Sequence, residues 1–173
     1  MEKNKIIYIE GDATNPKGDG IKIIAHGCNA QGAWGAGFVL AVSARWSKPE
    51  RVYRGLRTMH KLGQVQLVEV EEDTYVANCI TQHLHPTGPD MIPLRYDALT
   101  KCFEALANDY KVKGQEEKVT IHMPRIGAGL AGGSWERIEK IINETLVNKG
   151  IKVVVYDLPK GSNTIGRSFQ FNK

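Results

Sequence analysis

Two glycine-rich segments, each placed between a predicted strand and a predicted helix, constrain this sequence most. The first is HGCNAQGAWGAG at residues 26–37, and the second is PRIGAGLAGGS at residues 124–134. Glycine lets backbone N–H groups approach an anion closely, and the N-terminus of the following helix adds partial positive charge. Glycine also serves tight turns, so one such loop is weak evidence. Two loops at one sheet edge indicate a ligand with two phosphates, or with a phosphate and a sugar.

Strand-like and helix-like segments alternate along the chain. Apolar, β-branched runs predict strands at residues 6–10, 22–26, 64–71, 74–81, 119–123 and 152–158, with the third and fourth forming a hairpin. Helices are predicted at residues 37–46 and 49–61, along the stripe of Tyr96, Leu99, Phe103, Leu106 and Tyr110, and after Ser134. Residues 82–93 hold three prolines and one glycine, which predicts a loop.

This alternation predicts an α/β fold, a three-layer α/β/α sandwich around a mixed, largely parallel sheet. Ligands of such folds bind in the crevice at the carboxyl ends of the strands. Both glycine-rich loops follow their strands directly, so both are expected to lie at that crevice.

Length and composition predict an ordinary globular chain. Its 173 residues are 42% hydrophobic and carry a net charge of +4, and we expect one domain at residues 1–158 and a flexible basic tail at 159–173. The three cysteines are irregularly spaced, which favours neither a disulfide framework nor a zinc site. The sequence has no Lys/Arg block with interleaved aromatic residues, the pattern that would predict a nucleic-acid surface. It also has no long apolar run and no signal-like N-terminus, the features that would predict a membrane or secreted protein. We therefore expect a cytoplasmic monomer.

Two common phosphate-binding motifs do not fit the glycine-rich loops. The second loop lacks the Gly-Lys-Ser/Thr ending of a Walker A motif, and no Gly-x-Gly-x-x-Gly follows the first strand. The first strand is followed instead by Gly11 and Asp12. A carboxylate at a strand end can accept a hydrogen bond from an exocyclic amine such as that of adenine, and the alternative is an ordinary turn-forming Gly-Asp pair.

Four separated motifs resemble the macrodomain family in their order and spacing. They are GD at residues 11–12, AHGCN at 25–29 running into WGAG at 34–37, MPRIGAGL at 123–130, and VYDL at 155–158. Each falls at a predicted strand end, and the resemblance covers about residues 5–158. It implies the macrodomain fold and a site for ADP-ribose or ADP-ribose-1″-phosphate, with no metal and no organic cofactor.

The resemblance also implies a role for each matched position. Asp12, next to Gly11, would hold the adenine amine, and Asn29 would contact the distal ribose. Tyr156 would lie against adenine, or it is an ordinary tyrosine at the edge of the core. The backbone of the two loops would enclose the phosphates, the first loop with Gly35, Ala36 and Gly37 and the second with Gly127, Ala128, Gly129, Leu130, Ala131 and Gly132.

Within the family, the first loop is most similar to the ADP-ribose-1″-phosphate phosphatases. That branch places a catalytic histidine where His26 stands, so the resemblance implies a general acid/base or a nucleophile there. The alternative is a histidine that only hydrogen-bonds a loop. The same branch uses a carboxylate from the loop after the fourth strand, for which Asp90 is the candidate.

A neighbouring branch removes ADP-ribose from protein carboxylates with a lysine and an aspartate. Gln82 and its neighbours stand where that lysine is expected, and Ala131 stands where the aspartate is expected, which argues against that mechanism. His83 and His85 are two apart without a suitably spaced third ligand, so a rim position is favoured over a metal site. The leading hypothesis is hydrolysis of ADP-ribose-1″-phosphate to ADP-ribose and phosphate. The alternatives are a non-catalytic ADP-ribose binding module and a hydrolase of ADP-ribosylated protein or acyl-ADP-ribose.

Overall fold

The computed structural model describes residues 5–159, and the predicted tail lies outside them from residue 160 onward. Strands and helices alternate through the described chain, with short 3₁₀ turns at Glu116–Lys118 and Val147–Lys149. In chain order the elements are β1 (Ile7–Glu10), β2 (Ile21–Asn29), α1 (Phe38–Arg45), α2 (Lys48–Gly55), β3 (Val65–Glu71), β4 (Thr74–Thr87), β5 (Ile92–Leu94), α3 (Tyr96–Asn108), β6 (Val119–Met123), α4 (Trp135–Thr145) and β7 (Lys152–Asp157).

Within residues 5–159 these strands form one sheet in the order β1-β7-β6-β2-β4-β3, with β5 paired to β4. The pairs β1/β7, β7/β6, β6/β2 and β2/β4 are parallel, whereas β3 and β5 run antiparallel to β4. The prediction of a mixed, largely parallel sheet with a β3–β4 hairpin is therefore confirmed.

Alternation along the strands divides the apolar side chains between two faces of the sheet. In β2, Ile23 and Ala25 pack with the buried faces of α3 and α4, whereas Ile24 and Cys28 pack with α1 and α2. The sheet is thus covered on both faces, which confirms the α/β/α sandwich and places the α1 N-terminus above the carboxyl end of β2.

Four predicted boundaries are wrong. Strand β2 runs to Asn29 rather than ending at residue 26, so residues 26–29 of the first glycine-rich segment belong to the strand. Residues 82–93 are not simply a loop, because β4 continues to Thr87 and pairs with β5 through Gln82 opposite Leu94. Beyond Gln82 the strand no longer pairs with β2, so Pro86 lies on a segment with an unpaired edge, where proline is tolerated. Helix α2 ends at Gly55 rather than at residue 61, since glycine is a poor helix former. Helix α3 ends before Tyr110, which is 80% exposed.

No helix in the part of the chain spanning residues 5–159 has the length and apolar character needed to cross a membrane.

Candidate functional site

A trough lies between the two glycine-rich loops at the carboxyl ends of the parallel strands. Its first part encloses about 230 Å³ and reaches Arg125 and Asp157 at the ends of β6 and β7. Its second part encloses about 400 Å³ and reaches Asn29 and the extension of β4. The two parts share the lining residues Gly27, Ala36, Val39, Gln82 and Leu130. The trough therefore runs across the sheet from β7 to β4, as the loop positions predict.

The first glycine-rich loop leads directly into α1. Gly37 caps the helix with φ 82°, a conformation that favours glycine, and a Cβ there would lie 3.0 Å from Cδ1 of Leu130. The two loops therefore approach each other at this point. A Cβ at Gly35 would meet nothing within 4 Å, so Gly35 borders the open trough, together with Ala36.

The second loop contains glycines of two kinds. Gly127 has φ 79°, and a Cβ there would lie 3.1 Å from Leu94 and 3.2 Å from Ile138, so the fold itself requires glycine. Gly132, with φ 74°, packs similarly against Ile92. Gly129 has no positive φ, lines the trough, and would place a Cβ in open space. The loop is completed by half-buried Ala128, Leu130 at 40% exposure, and buried Ala131.

Asn29 holds the turn of the first loop. Its Oδ1 accepts hydrogen bonds from the backbone N–H groups of Gln31 and Ala33, both at 3.0 Å, and from the Tyr53 hydroxyl. Its Nδ2 donates to the carbonyl of Ala33 at 2.7 Å. Asn29 also lines the second part of the trough, and these contacts fix the orientation in which it would meet a ligand.

His26 lies beneath α1, fully buried, and is one of the residues that line the first part of the trough. Its ring packs edge-on against Trp34 at a centroid distance of 5.4 Å and lies near Phe38. Its Nε2 lies 2.7 Å from Oδ1 of Asn78. Burial lowers the pKa of His26 to about 4, although the hydrogen bond to Asn78 opposes that shift, so the imidazole is neutral at pH 7.

Asp12 forms the turn that follows β1. Its Oδ1 accepts hydrogen bonds from the backbone N–H and the hydroxyl of Thr14 at 2.8 and 2.7 Å. The preceding Gly11 donates its N–H to the carbonyl of Asp157 at 2.8 Å, which ties this turn to the end of β7. The turn-forming role of Asp12 is thus present, and the turn lies beside the β7 end of the trough.

Tyr156 is a buried residue that holds the segment after β1. It is 4% exposed and packs with Ala13 and Val154. Its hydroxyl accepts the backbone N–H of Lys17 at 3.0 Å and lies 2.7 Å from Nδ1 of His122. This is the arrangement of the core tyrosine that the sequence left as an alternative, and it makes Tyr156 a support for the Asp12 turn.

Asp90 lies away from His26. It occupies the turn between β4 and β5, and its carboxylate is 3.7 Å from Nη1 of Arg137 in α4. Of the described residues, those that line the two parts of the trough do not include Asp90. The structure therefore does not bring the two candidate catalytic residues together.

Arg125, Asp157, Gln82 and Phe38 line the trough but were not predicted as site residues. Arg125 and Asp157 form a salt bridge with two hydrogen bonds of 2.9 Å, and the hydrogen bond to Asp157 raises the pKa of Arg125. Their position at the carboxyl ends of β6 and β7 was a signal that the sequence carried. Phe38 and Gln82 gave no such signal, because apolar and amide side chains are common at these positions.

Among residues 5–159, no group of three or more His, Cys, Asp or Glu side chains is placed to hold a metal ion. His83 lies at the rim, where its Nδ1 is 3.2 Å from Nε2 of Gln31, and Oε1 of Gln31 accepts the N–H of Leu84. Gln31 thus ties the first loop to the β4 extension.

Solved structures that are similar to this chain in both fold and sequence include the following two. A Bacteroides thetaiotaomicron protein of unknown function is 47% identical, with a TM-score of 0.83 over 91% of this chain and 100% of that chain. A macrodomain protein from Streptomyces coelicolor is 44% identical, with a TM-score of 0.75 over 90% of this chain and 100% of that chain.

Comparison with curated sequences finds more distant relatives. An ADP-ribose 1″-phosphate phosphatase from Candida albicans is 26% identical over 80% of this chain and 92% of that protein. Chromodomain-helicase-DNA-binding protein 1-like from Mus musculus is 27% identical over 92% of this chain, but the chain spans only 18% of that protein's length. No protein-family model matches the chain.

Proposed function

Because the chain belongs to the macrodomain family, we propose that its trough binds ADP-ribose and that it hydrolyses ADP-ribose-1″-phosphate to ADP-ribose and phosphate. The observation that carries the binding proposal is the pairing of the two glycine-rich loops across one trough. The loops approach each other at Gly37 and Leu130, while Gly35 and Gly129 leave open space on either side. An extended diphosphate fits such a gap, because backbone N–H groups and a helix N-terminus favour anions.

The dimensions of the sheet edge suit a ligand with two different ends. From β1 to β4 the strand order gives four spacings, which is about 19 Å at the usual separation of neighbouring strands. We place adenine at the β1 and β7 end, near Asp12, and the distal ribose at the β2 and β4 end, near Asn29. The pyrophosphate then lies between Gly35–Gly37 and Gly127–Gly132, where the trough is flanked by backbone.

The hydrolytic step is supported by the curated relatives named ADP-ribose 1″-phosphate phosphatase and by the state of His26. Asn78 donates its Nδ2 hydrogens to the Pro49 carbonyl and to Gln66, so its Oδ1 accepts from His26. His26 then carries its proton on Nε2 and keeps the Nδ1 lone pair, with the Cys28 Sγ 3.9 Å from that nitrogen. A neutral imidazole of this kind can accept a proton from water as the water oxygen bonds to the terminal phosphorus. The bond between phosphorus and the 1″ oxygen of the ribose then breaks, and the departing oxygen takes up that proton to give ADP-ribose and phosphate.

A second candidate is a binding module that recognises ADP-ribose without turnover. The observation that favours it is the separation of Asp90 from His26, which leaves the histidine without the carboxylate partner that the phosphatase branch implies. An assay of phosphate release separates the two candidates.

The deciding experiment measures binding and turnover on one protein sample. Calorimetry should show ADP-ribose binding clearly tighter than AMP, because the distal half reaches Asn29 and the second loop. Phosphate release is then measured with ADP-ribose-1″-phosphate as the substrate, and ADP-ribose release is measured with ADP-ribosylated protein as the substrate. Phosphate release supports the phosphatase, binding without any release supports the module, and equal affinity for AMP and ADP-ribose contradicts the placement of the distal ribose.

A further inference from the structure

Arg125 is held rigidly at the β7 end of the trough. Its Nε and Nη2 each donate to one carboxylate oxygen of Asp157 at 2.9 Å. This two-point contact fixes the plane of the guanidinium and offsets its charge. A phosphate would therefore gain less from Arg125 than from an unpaired arginine.

Two aromatic rings support the same guanidinium. The ring centroids of Tyr8 and Trp135 each lie 4.9 Å from Cζ of Arg125, and they lie 6.4 Å from each other. Rings on opposite faces of the guanidinium would have centroids separated by close to twice 4.9 Å, so these two rings lie around one side. Trp135 donates its Nε1 hydrogen to the Tyr8 hydroxyl at 3.1 Å, which locks the pair.

Of the described residues, Tyr8 and Trp135 do not line the trough whereas Arg125 does, so we take the side of Arg125 away from the two rings as the side that faces it. Arg125 lines the first part of the trough, and its side chain is 41% exposed. The Asp12 turn lies next to it, because Gly11 donates its N–H to the carbonyl of Asp157. A flat, charge-compensated cation thus lies at the same end of the trough as the Asp12 turn.

We propose that Arg125 is the residue that selects for a nucleobase, by stacking its open guanidinium face on the base of the bound ligand. This inference rests on the proposed function and adds to it the group that recognises the base. A planar guanidinium stacks well on aromatic rings, whereas a lysine ammonium is a compact point charge. Asp157, Tyr8 and Trp135 act as positioning residues for that plane.

The test compares AMP with ribose 5-phosphate, two ligands that share a phosphate and differ by the base. Each is titrated by NMR into wild-type protein and into Arg125→Lys. The ratio of the two dissociation constants measures the contribution of the base. We expect Arg125→Lys to reduce that ratio by roughly 5–30-fold, the range of a desolvated cation–π contact, while ribose 5-phosphate binds as before. Arg51→Lys, at an exposed position in α2, is the control and should leave the ratio unchanged.

The outcomes separate this inference from the proposed function. Wild-type protein that fails to bind ADP-ribose would remove both. If the wild-type protein binds ADP-ribose but the ratio is unchanged in Arg125→Lys, the role of Arg125 alone is overturned. The same holds if Arg125→Lys weakens both ligands equally, because that result would indicate a contact with the phosphate. If Arg125→Lys folds poorly, Trp135→Leu gives the same test, because it removes one ring that supports the guanidinium and leaves the charges of Arg125 and Asp157 unchanged. Release of the guanidinium should lower the ratio at least threefold, and an unchanged ratio would again overturn the inference.

Discussion

His26 and Asn78 sit opposite each other on the parallel strands β2 and β4, joined by a hydrogen bond of 2.7 Å between Nε2 and Oδ1. Both side chains are fully buried. The amide of Asn78 is itself oriented by the Pro49 carbonyl and by Gln66. The pair therefore fixes a neutral histidine under α1, and this has consequences for stability as well as for chemistry.

The first prediction concerns the pH dependence of stability. Burial lowers the pKa of His26 to about 4, whereas an exposed histidine in the unfolded chain titrates near its ordinary value of about 6.5. Between these values the unfolded state binds the extra proton, so the free energy of unfolding falls as the pH falls from about 6.5 to 4. The loss attributable to His26 should approach about 3 kcal/mol at pH 4.

Urea unfolding at several pH values between 7 and 4 checks this prediction against the variant His26→Gln. The pKa of His122 is also lowered to about 4, mainly by burial, so the variant should keep part of the pH dependence seen in the wild-type protein. The slope of unfolding free energy against pH reports the number of protons taken up on unfolding, and this number should be lower in the variant by up to one. Identical slopes in both proteins would contradict the protonation state assigned to His26.

The second prediction concerns catalysis by His26. A positioned general acid/base contributes on the order of 10²–10⁴-fold in rate, while the affinity for ADP-ribose comes mostly from the loops and the adenine end. His26→Ala should therefore abolish most phosphate release from ADP-ribose-1″-phosphate and leave ADP-ribose affinity within about tenfold. Rate and affinity are measured on the same preparation, after circular dichroism has established that the variant is folded.

The contrasting variant for this prediction is Asp12→Ala. Asp12 lies at the β1 end, away from the reacting phosphate, so its loss should weaken the binding of substrate and product together with a smaller effect on the maximal rate. If His26→Ala turns over normally, the histidine only supports the loop and the phosphatase proposal loses its main residue. If the wild-type protein releases no phosphate, the binding module takes its place.

The sequence predicted the sandwich and the location of the trough, because both follow from local signals. Strands β2 and β6 contain short apolar runs, and each leads into a glycine-rich loop. Positions that the fold itself demands, such as Gly127, are also visible as glycine in the sequence. Each of these features is determined by the amino acids within a few residues of it in the sequence.

The rest depends on contacts between residues that are distant in the chain. The pairing of Gln82 with Leu94 extends β4 through a proline-rich segment that reads locally as a loop. The sequence suggests Asp90 as a catalytic carboxylate because it lies in that segment, yet the hairpin places it near Arg137. The role of Arg125 requires Tyr8 and Trp135, which are more than a hundred residues apart, to meet at one edge of the sheet.

The third prediction concerns the Tyr156 hydroxyl. It accepts the N–H of Lys17 and contacts Nδ1 of buried His122, so Tyr156→Phe leaves a buried ring nitrogen unpaired. We expect a loss of about 1–3 kcal/mol in the free energy of unfolding. ADP-ribose affinity should fall severalfold because the Asp12 turn is less firmly held. Tyr110→Phe, at a position that is 80% exposed, is the matched control and should change neither quantity. Loss of affinity without loss of stability would contradict a supporting role and indicate direct contact with the ligand.

The last prediction separates the two kinds of glycine in the second loop. A Cβ at Gly129 would meet nothing within 4 Å and would project where the trough is open, so Gly129→Val should keep its unfolding free energy within about 1 kcal/mol of wild type. The added side chain occupies the space assigned to the pyrophosphate, and ADP-ribose affinity should fall at least about tenfold. Gly127→Val is the opposite case, because its φ of 79° and its contacts with Leu94 and Ile138 make a β-branched residue costly, by about 1–3 kcal/mol or more. Thermal unfolding and calorimetry on both variants check the pair. A folded Gly129→Val that binds ADP-ribose as tightly as wild type would show that the pyrophosphate does not lie between the two loops.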